Sequence, residues 1–132
     1  TKIYLGEKDM QQLKIIEHFV NKNYSNIKVV GCKTIREKNG IACSSRNFLL
    51  TLNEKKIASK IYKYIKNIKK KLIMKQINLV KIKKNFNRLG VKKIDYIQML
   101  DINKIINRHK KSKKFKIFVA YYLGSTRLID NI

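Results

Sequence analysis

Lys8 and Asp9 follow a glycine at the end of the short apolar run Ile3-Tyr4-Leu5, inside the string GEKDMQQL of residues 6–13. Farther on, Ser44, Ser45 and Arg46 stand in a row within GIACSSRNFLLTLNE, residues 40–54. An ammonium, two hydroxyls and a guanidinium are groups suited to a polyphosphate. Arginine grips phosphate with two parallel hydrogen bonds, and hydroxyls donate to further oxygens. Lys8 lies between a strand end and a helix start, where backbone N–H groups and the helix dipole favour anions. Asp9 fits the N-cap of that helix, and its carboxylate could also accept from ribose hydroxyls. The Gln12 amide faces the same turn and could fix a hydroxyl or a carboxylate. Each residue also has a plainer reading. Lys8 is one lysine among many, and exposed lysines are simply solvated. The tripeptide S-S-R is common in loops.

Other chemistries find little support. There is no G-x-x-x-x-G-K-S/T loop and no G-x-G-x-x-G fingerprint. No cysteine pairing suggests zinc, and no metal ligands are assigned. His18 and His109 have no partners at diagnostic spacing, which places them on a helix surface and in a loop and leaves no Ser-His-Asp triad. Cys43 reads as an inert buried side chain rather than a nucleophile.

The elements that must position these residues fall into two sets. Ile3–Leu5 predicts a buried strand closed by a tight turn at Gly6. A helix then starts at Asp9, with Asp9 and Gln12 spaced as a capping box. Met10, Leu13, Ile16, Phe19 and Val20 share one face of it. Residues 27–30 form a second strand ended by Gly31. Strand, helix, strand at this spacing predicts part of a parallel α/β sheet, which binds ligands at the carboxyl ends of its strands. Residues 32–50 have no clean period and read as a loop around Gly40.

After the loop, Thr51 and Glu54 form a capping box. Ile57, Ile61, Ile65, Ile68 and Leu72 stripe a long helix. A further helix spans residues 76–89 and is closed by Gly90. Strands follow at 94–100, 115–123 and 126–132, the last two joined by a turn at Gly124-Ser125. A short helix over 102–108 and a solvated loop over 109–116 complete the second half. It reads as helices followed by a small antiparallel sheet.

The bulk numbers bound the partners. The chain has 132 residues, 44% of them apolar, enough for a real core. No apolar run approaches the ~18 residues of a membrane span. Two cysteines do not make a secreted disulfide scaffold. The start is not a signal peptide, and the chain opens directly on an apolar run, which predicts a fragment. The net charge of +24 suggests a small basic nucleic-acid-binding protein. Yet the charge is nearly all lysine, whereas phosphate and base readers favour arginine forks. Abundant Lys, Ile and Asn with no Pro or Trp also fits drift towards A and T in the genome.

Taken in order, the segments resemble the pantoate–β-alanine ligase family. GEKDMQQL (6–13), VVGCKTIRE (29–37), NGIACSSRNFLLTLNE (39–54), IDYIQMLD (94–101) and FVAYYLGSTRLIDNI (118–132) cover most of the chain. The family pattern runs close to GEKD-x-QQL, then VG-x-PT-x-RE-x-DGLA-x-SSRN-x-YL. The resemblance implies an α/β plus α+β architecture: residues 1–45 end a Rossmann-like ATP-binding domain, and 46–132 form a C-terminal lid of helices and an antiparallel sheet of about three strands. It implies a cytoplasmic, homodimeric enzyme that uses ATP to activate pantoate as an acyl adenylate, releases pyrophosphate, and passes the acyl group to β-alanine with loss of AMP.

By position, Gly6, Glu7, Lys8 and Asp9 match the first ATP segment, with Lys8 at the phosphates and Asp9 at the ribose. Gln12 matches the glutamine that holds pantoate. Ile35 falls where a backbone group meets adenine. Cys43, Ser44, Ser45 and Arg46 match the second ATP segment. Lys8, Ser44, Ser45 and Arg46 are therefore the expected catalytic groups. Three departures stand out: Lys33 in place of proline, Asn39 in place of aspartate, and Cys43 in place of methionine or leucine. The family's HxGH half, which should carry the Mg2+ region, has no counterpart here. This chain alone is therefore expected to be inactive. An inactive remnant of the ligase and a basic nucleic-acid binder remain the other two readings.

The lysine-rich surface predicts polycation behaviour only. Any complex with RNA should collapse at about 0.2 M salt. A filter-binding titration that finds a structure-selective complex surviving that salt would establish a nucleic-acid role instead.

Overall fold

The computed structural model describes residues 1–109 and 113–132. Strand β1 (Lys2–Gly6) leads through a single 3-10 turn (Glu7–Asp9) into helix α1 (Met10–Asn23), and the chain returns as β2 (Lys28–Cys32). β1 and β2 pair in parallel, Ile3 opposite Val29 and Leu5 opposite Gly31. The predicted strand–helix–strand unit is therefore present. Its strands are not buried as expected: Tyr4 is exposed, while Ile3 and Leu5 are half-buried. Two strands alone leave part of a parallel sheet uncovered, a setting in which such sheets are rarely stable. On α1, Met10, Leu13 and Val20 are buried, but Phe19 turns outward against Tyr24.

A 3-10 turn at Ser45–Leu49 precedes helix α2 (Leu52–Ile73). The predicted capping box is complete. Thr51 Oγ1 accepts from the Glu54 N–H at 3.2 Å, and the Glu54 carboxylate accepts from the Thr51 N–H at 2.8 Å. Ile61, Ile65, Ile68 and Leu72 form the buried stripe, with Ile57 half-buried beside it. Each such side chain removed from water contributes roughly 1.5–3 kcal/mol. Helix α3 (Leu79–Arg88) starts three residues later than the sequence pattern suggests. Asn78 accepts from the Lys81 N–H and caps it there.

Strands β3 (Lys93–Asp101), β4 (Phe115–Leu123) and β5 (Thr126–Asn131) form an antiparallel sheet in the order β3-β4-β5. After β3, a 3-10 turn at Ile102–Lys104 forms in place of the helix predicted to residue 108. The Asp101 side chain accepts from the Asn103 N–H and favours that tight turn. The solvated loop expected over 109–116 gives way to strand at Phe115, and its residues 110–112 lie outside the described residues.

β4 is the shared layer. Ile117, Val119, Tyr121 and Leu123 point into the main core with α2 and α3. Phe118 points the other way and packs with Met10 and Leu13 of α1. Period-two alternation thus lets one strand serve two cores. The Phe86 ring is fully buried and meets Tyr121 edge-on, with centroids 5.7 Å apart.

Phe86→Ala should cost about 3–5 kcal/mol, the range for deleting a buried aromatic. Urea unfolding followed by far-ultraviolet circular dichroism would measure it.

Candidate functional site

Lys8 sits in the 3-10 turn between β1 and α1. Gly6 has an ordinary extended backbone, φ −71° and ψ 132°, and a Cβ there would meet nothing within 4 Å. The expected tight glycine turn is absent, and the glycine instead leaves open space at the strand end. Asp9 occupies the N-cap of α1, but its side chain makes no capping hydrogen bond, so the capping box with Gln12 does not form.

The turn is held from another direction. Asn131, at the end of β5 and 1% exposed, donates from Nδ2 to the carbonyls of Glu7 (2.8 Å) and Lys8 (2.7 Å). Lys116 Nζ donates to Asn131 Oδ1 at 2.7 Å and lies 3.9 Å from the Glu7 carboxylate. Burial pushes the Lys116 ammonium below the usual lysine range, against the pull of Glu7.

The second segment is fixed by Asp130, the neighbour of Asn131. Arg36 grips its carboxylate through two hydrogen bonds, at 2.7 and 2.9 Å. The same guanidinium donates to the Gly40 carbonyl at 3.1 Å and stacks over the Tyr62 ring at 4.4 Å. Burial disfavours its charge, yet the hydrogen bond and charge of Asp130 outweigh that and raise its pKa above the usual value. Gly40 has φ +92°, and a Cβ there would overlap the Tyr62 ring. Inside the loop, the Asn39 side chain accepts from the Ile41 N–H, so the asparagine makes its own turn here. Buried Asn47 donates to Glu37 at 2.6 Å and to the Ala42 carbonyl at 3.1 Å.

The two segments converge. Lys8 Nζ lies 3.4 Å from the Cys43 carbonyl, a long contact that leaves the ammonium with donors to spare. Lys8, Ser44, Arg46 and Arg127 line one crevice, whose enclosed space of about 20 Å³ holds little more than a water molecule. A larger anion would lie across its mouth. On the other side of Lys8, a cleft of about 330 Å³ is lined by Lys8, Asp9, Gln12, Tyr96, Gln98 and Asp130. Ser44 Oγ accepts from the Arg46 N–H at 3.3 Å, so its own proton is free to donate outward.

Of the residues predicted from sequence, Lys8, Ser44 and Arg46 meet at the crevice, and Lys8, Asp9 and Gln12 at the cleft. Ser45 is exposed and lines neither. Ile35 is exposed in side chain, and its carbonyl accepts from the Cys43 N–H at 2.9 Å. Cys43 is exposed rather than buried, because its backbone carbonyl is the group turned inward. Glu7 lines neither crevice nor cleft and faces Lys116. His18 and His109 are exposed, on α1 and in a turn respectively.

Sequence reasoning assigned no role to Arg36, Tyr62, Arg127, Asp130 or Asn131. The strings TIRE and RLIDNI contained most of them, but nothing in a string says which polar residue touches which. Asp9 carries a subtler signal. Of the eight acidic residues, Glu7, Glu17, Glu37, Glu54, Asp95, Asp101 and Asp130 all engage another group. Asp9 makes no such contact among the described residues. Among the described residues, no three His, Cys, Asp or Glu side chains group to hold a metal ion. No described helix is long and apolar enough to cross a membrane.

A lysine turn at the carboxyl end of a parallel strand thus faces a Ser-x-Arg segment, at the strand ends where α/β proteins receive ligands. The sequence model for pantoate-beta-alanine ligase matches residues 1–132. Pantothenate synthetase of Flavobacterium psychrophilum is 39% identical over 136 residues, covering 100% of this chain and 48% of that protein. The Clostridium botulinum enzyme is 38% identical, covering 99% and 48%. The crystal structure of the Francisella tularensis ligase, complexed with β-γ ATP and β-alanine, superposes with a TM-score of 0.69 at 36% identity. It covers 99% of this chain and 42% of that one. Pantothenate synthetase of Thermus thermophilus gives 0.76 at 25% identity, covering 99% and 49%. The chain therefore belongs to the pantoate–β-alanine ligase family, and it spans about half the length of the curated relatives it matches.

Gly40→Ala should destabilise by more than about 1 kcal/mol, since alanine fits neither the positive φ nor the space beside Tyr62. The loss should shrink in a Tyr62→Ala background, as a double-mutant cycle by chemical denaturation would show.

Proposed function

We propose that this chain is the C-terminal part of an ATP-dependent ligase that condenses pantoate with β-alanine. The observation that carries the reading is the convergence of Lys8 on the Cys43–Arg46 segment in a member of this family. In the first step, a pantoate carboxylate oxygen attacks the α-phosphorus of ATP, and pyrophosphate leaves. In the second, the β-alanine amine attacks the adenylate carbonyl, loses a proton, and AMP departs.

Chemistry of this kind depends on positioning and charge neutralisation rather than on a protein nucleophile. Lys8, Ser44 and Arg46 are assigned to the phosphate oxygens. Ser45, on the open side of the same segment, is assigned there as well. Asp9, with a carboxylate the fold does not use, is assigned to the ribose hydroxyls. Gln12, across the cleft from Lys8, is assigned to pantoate. Gly6 and Glu7 shape the turn, and the backbones of Ile35 and Cys43 border the nucleotide.

We place the boundary between the nucleotide-binding portion (1–45) and the lid (46–132) just before Arg46. Mg2+ would enter with the phosphates and be held by groups outside these residues. The assembled enzyme is proposed to be a cytoplasmic homodimer. The basic nucleic-acid-binding reading is not favoured, because family membership accounts for the fold.

The 132-residue chain alone should show no sustained release of AMP and pyrophosphate from ATP, pantoate and β-alanine. In an assembled ligase containing it, Lys8→Ala and Arg46→Ala should each slow pyrophosphate release by about 100-fold or more, as for other lost charge-stabilising groups. Near-normal adenylation in both variants would sink the phosphate assignment.

A further inference from the structure

We propose that Asn131 and Lys116 form a positioning pair that sets the direction of the Lys8 ammonium. Neither touches the anion itself. This inference rests on the phosphate role proposed for Lys8.

The geometry leaves the amide a single arrangement. Lys116 can only donate, so the atom it meets at 2.7 Å must be Oδ1. That choice turns Nδ2 towards Glu7 and Lys8, and its two hydrogens satisfy the two carbonyls. The amide is 1% exposed, so no water can replace these bonds cheaply. The Asn131 N–H is also occupied, donating to Asp130 Oδ1 at 2.8 Å. The carbonyls of Glu7 and Lys8 are thereby fixed, while among the described residues Lys8 Nζ keeps only its long contact to Cys43. The backbone from which Lys8 projects is thus held at two carbonyls while its ammonium keeps donors for an anion, so less order remains to be lost when one binds. The turn has no internal substitute for this clamp, since the Asp9 side chain makes no cap.

Two variants separate positioning from folding. Asn131→Asp keeps the shape but sets a carboxylate oxygen against the two carbonyls. Lys116→Met leaves the amide in place but removes the donor that orients it. The measurement is ATP binding to an assembled ligase containing this chain, by isothermal titration at fixed salt, with circular dichroism as the folding control. Asn131→Asp should weaken binding about tenfold, and Lys116→Met about threefold or more, through lost preorganisation. Both effects should vanish in a Lys8→Met background, because the pair acts through Lys8.

Equal losses with and without Lys8 would mean a merely structural or generally electrostatic role and would overturn the inference. If Asn131→Asp does not fold, Lys116→Met decides alone, and unchanged binding overturns it. If the assembled ligase binds ATP equally well with Lys8→Met, the phosphate role of Lys8 fails and the positioning role falls with it.

Discussion

Two consecutive side chains at the end of β5 hold the site together. Asp130 takes the Arg36 guanidinium in a two-point grip, and Asn131 takes the carbonyls of the Lys8 turn. The segments they hold lie more than ninety residues away in sequence. Bringing such distant parts together costs loop-closure entropy, which grows only slowly with length. What has to be strong is the final geometry. Charge-assisted, two-point hydrogen bonds supply it, and partial burial keeps water from competing. Because adjacent residues on a strand point to opposite sides, one dipeptide can pin two separate loops.

The three-stranded sheet converts this pinning into a common frame. β4 faces α2 and α3 through Ile117, Val119 and Tyr121, and faces α1 through Phe118. The Lys8 turn, which opens α1, and the Ser44–Arg46 segment, which leads to α2, therefore rest on the two sides of a single sheet. A bulge between Ile94 and Tyr96 leaves Asp95 unpaired in the ladder, and its carboxylate meets Arg127 at 2.6 Å. That contact places a further guanidinium at the crevice without any contribution from the Lys8 turn.

Local rules were legible in the sequence wherever local energy decides the outcome. The Thr51–Glu54 box, the Ile61–Leu72 stripe and the Gly124-Ser125 turn each depend on residues a few positions apart. Expectations failed where a distant partner intervened. Asp9 and Gln12 have capping-box spacing, but Asn131 holds the turn instead. Cys43 looks like a buried thiol, but the chain turns its carbonyl inward towards Lys8. Residues 102–108 look like a helix, but Asp101 folds back on the Asn103 N–H and tightens the first turn. At the site, the ligand-facing types were readable from Lys8, Ser44 and Arg46. Their supports were not, because Arg36, Asp130 and Asn131 look like ordinary surface residues until the sheet brings them inward.

The tip of the β4–β5 hairpin is a place where chains normally accept insertions and substitutions. Here it does not stand free. A Cβ on Gly124 would fall 2.6 Å from Glu54 Oε1, the oxygen beside the one that closes the α2 cap. Hairpin tip and helix start are thus in direct contact. A side chain at 124 would push the Glu54 carboxylate aside and loosen the helix cap, and it would also strain a backbone held at φ +55°. For anyone seeking a place to add a tag, a loop graft or a circular permutation, this outermost turn is a poor choice.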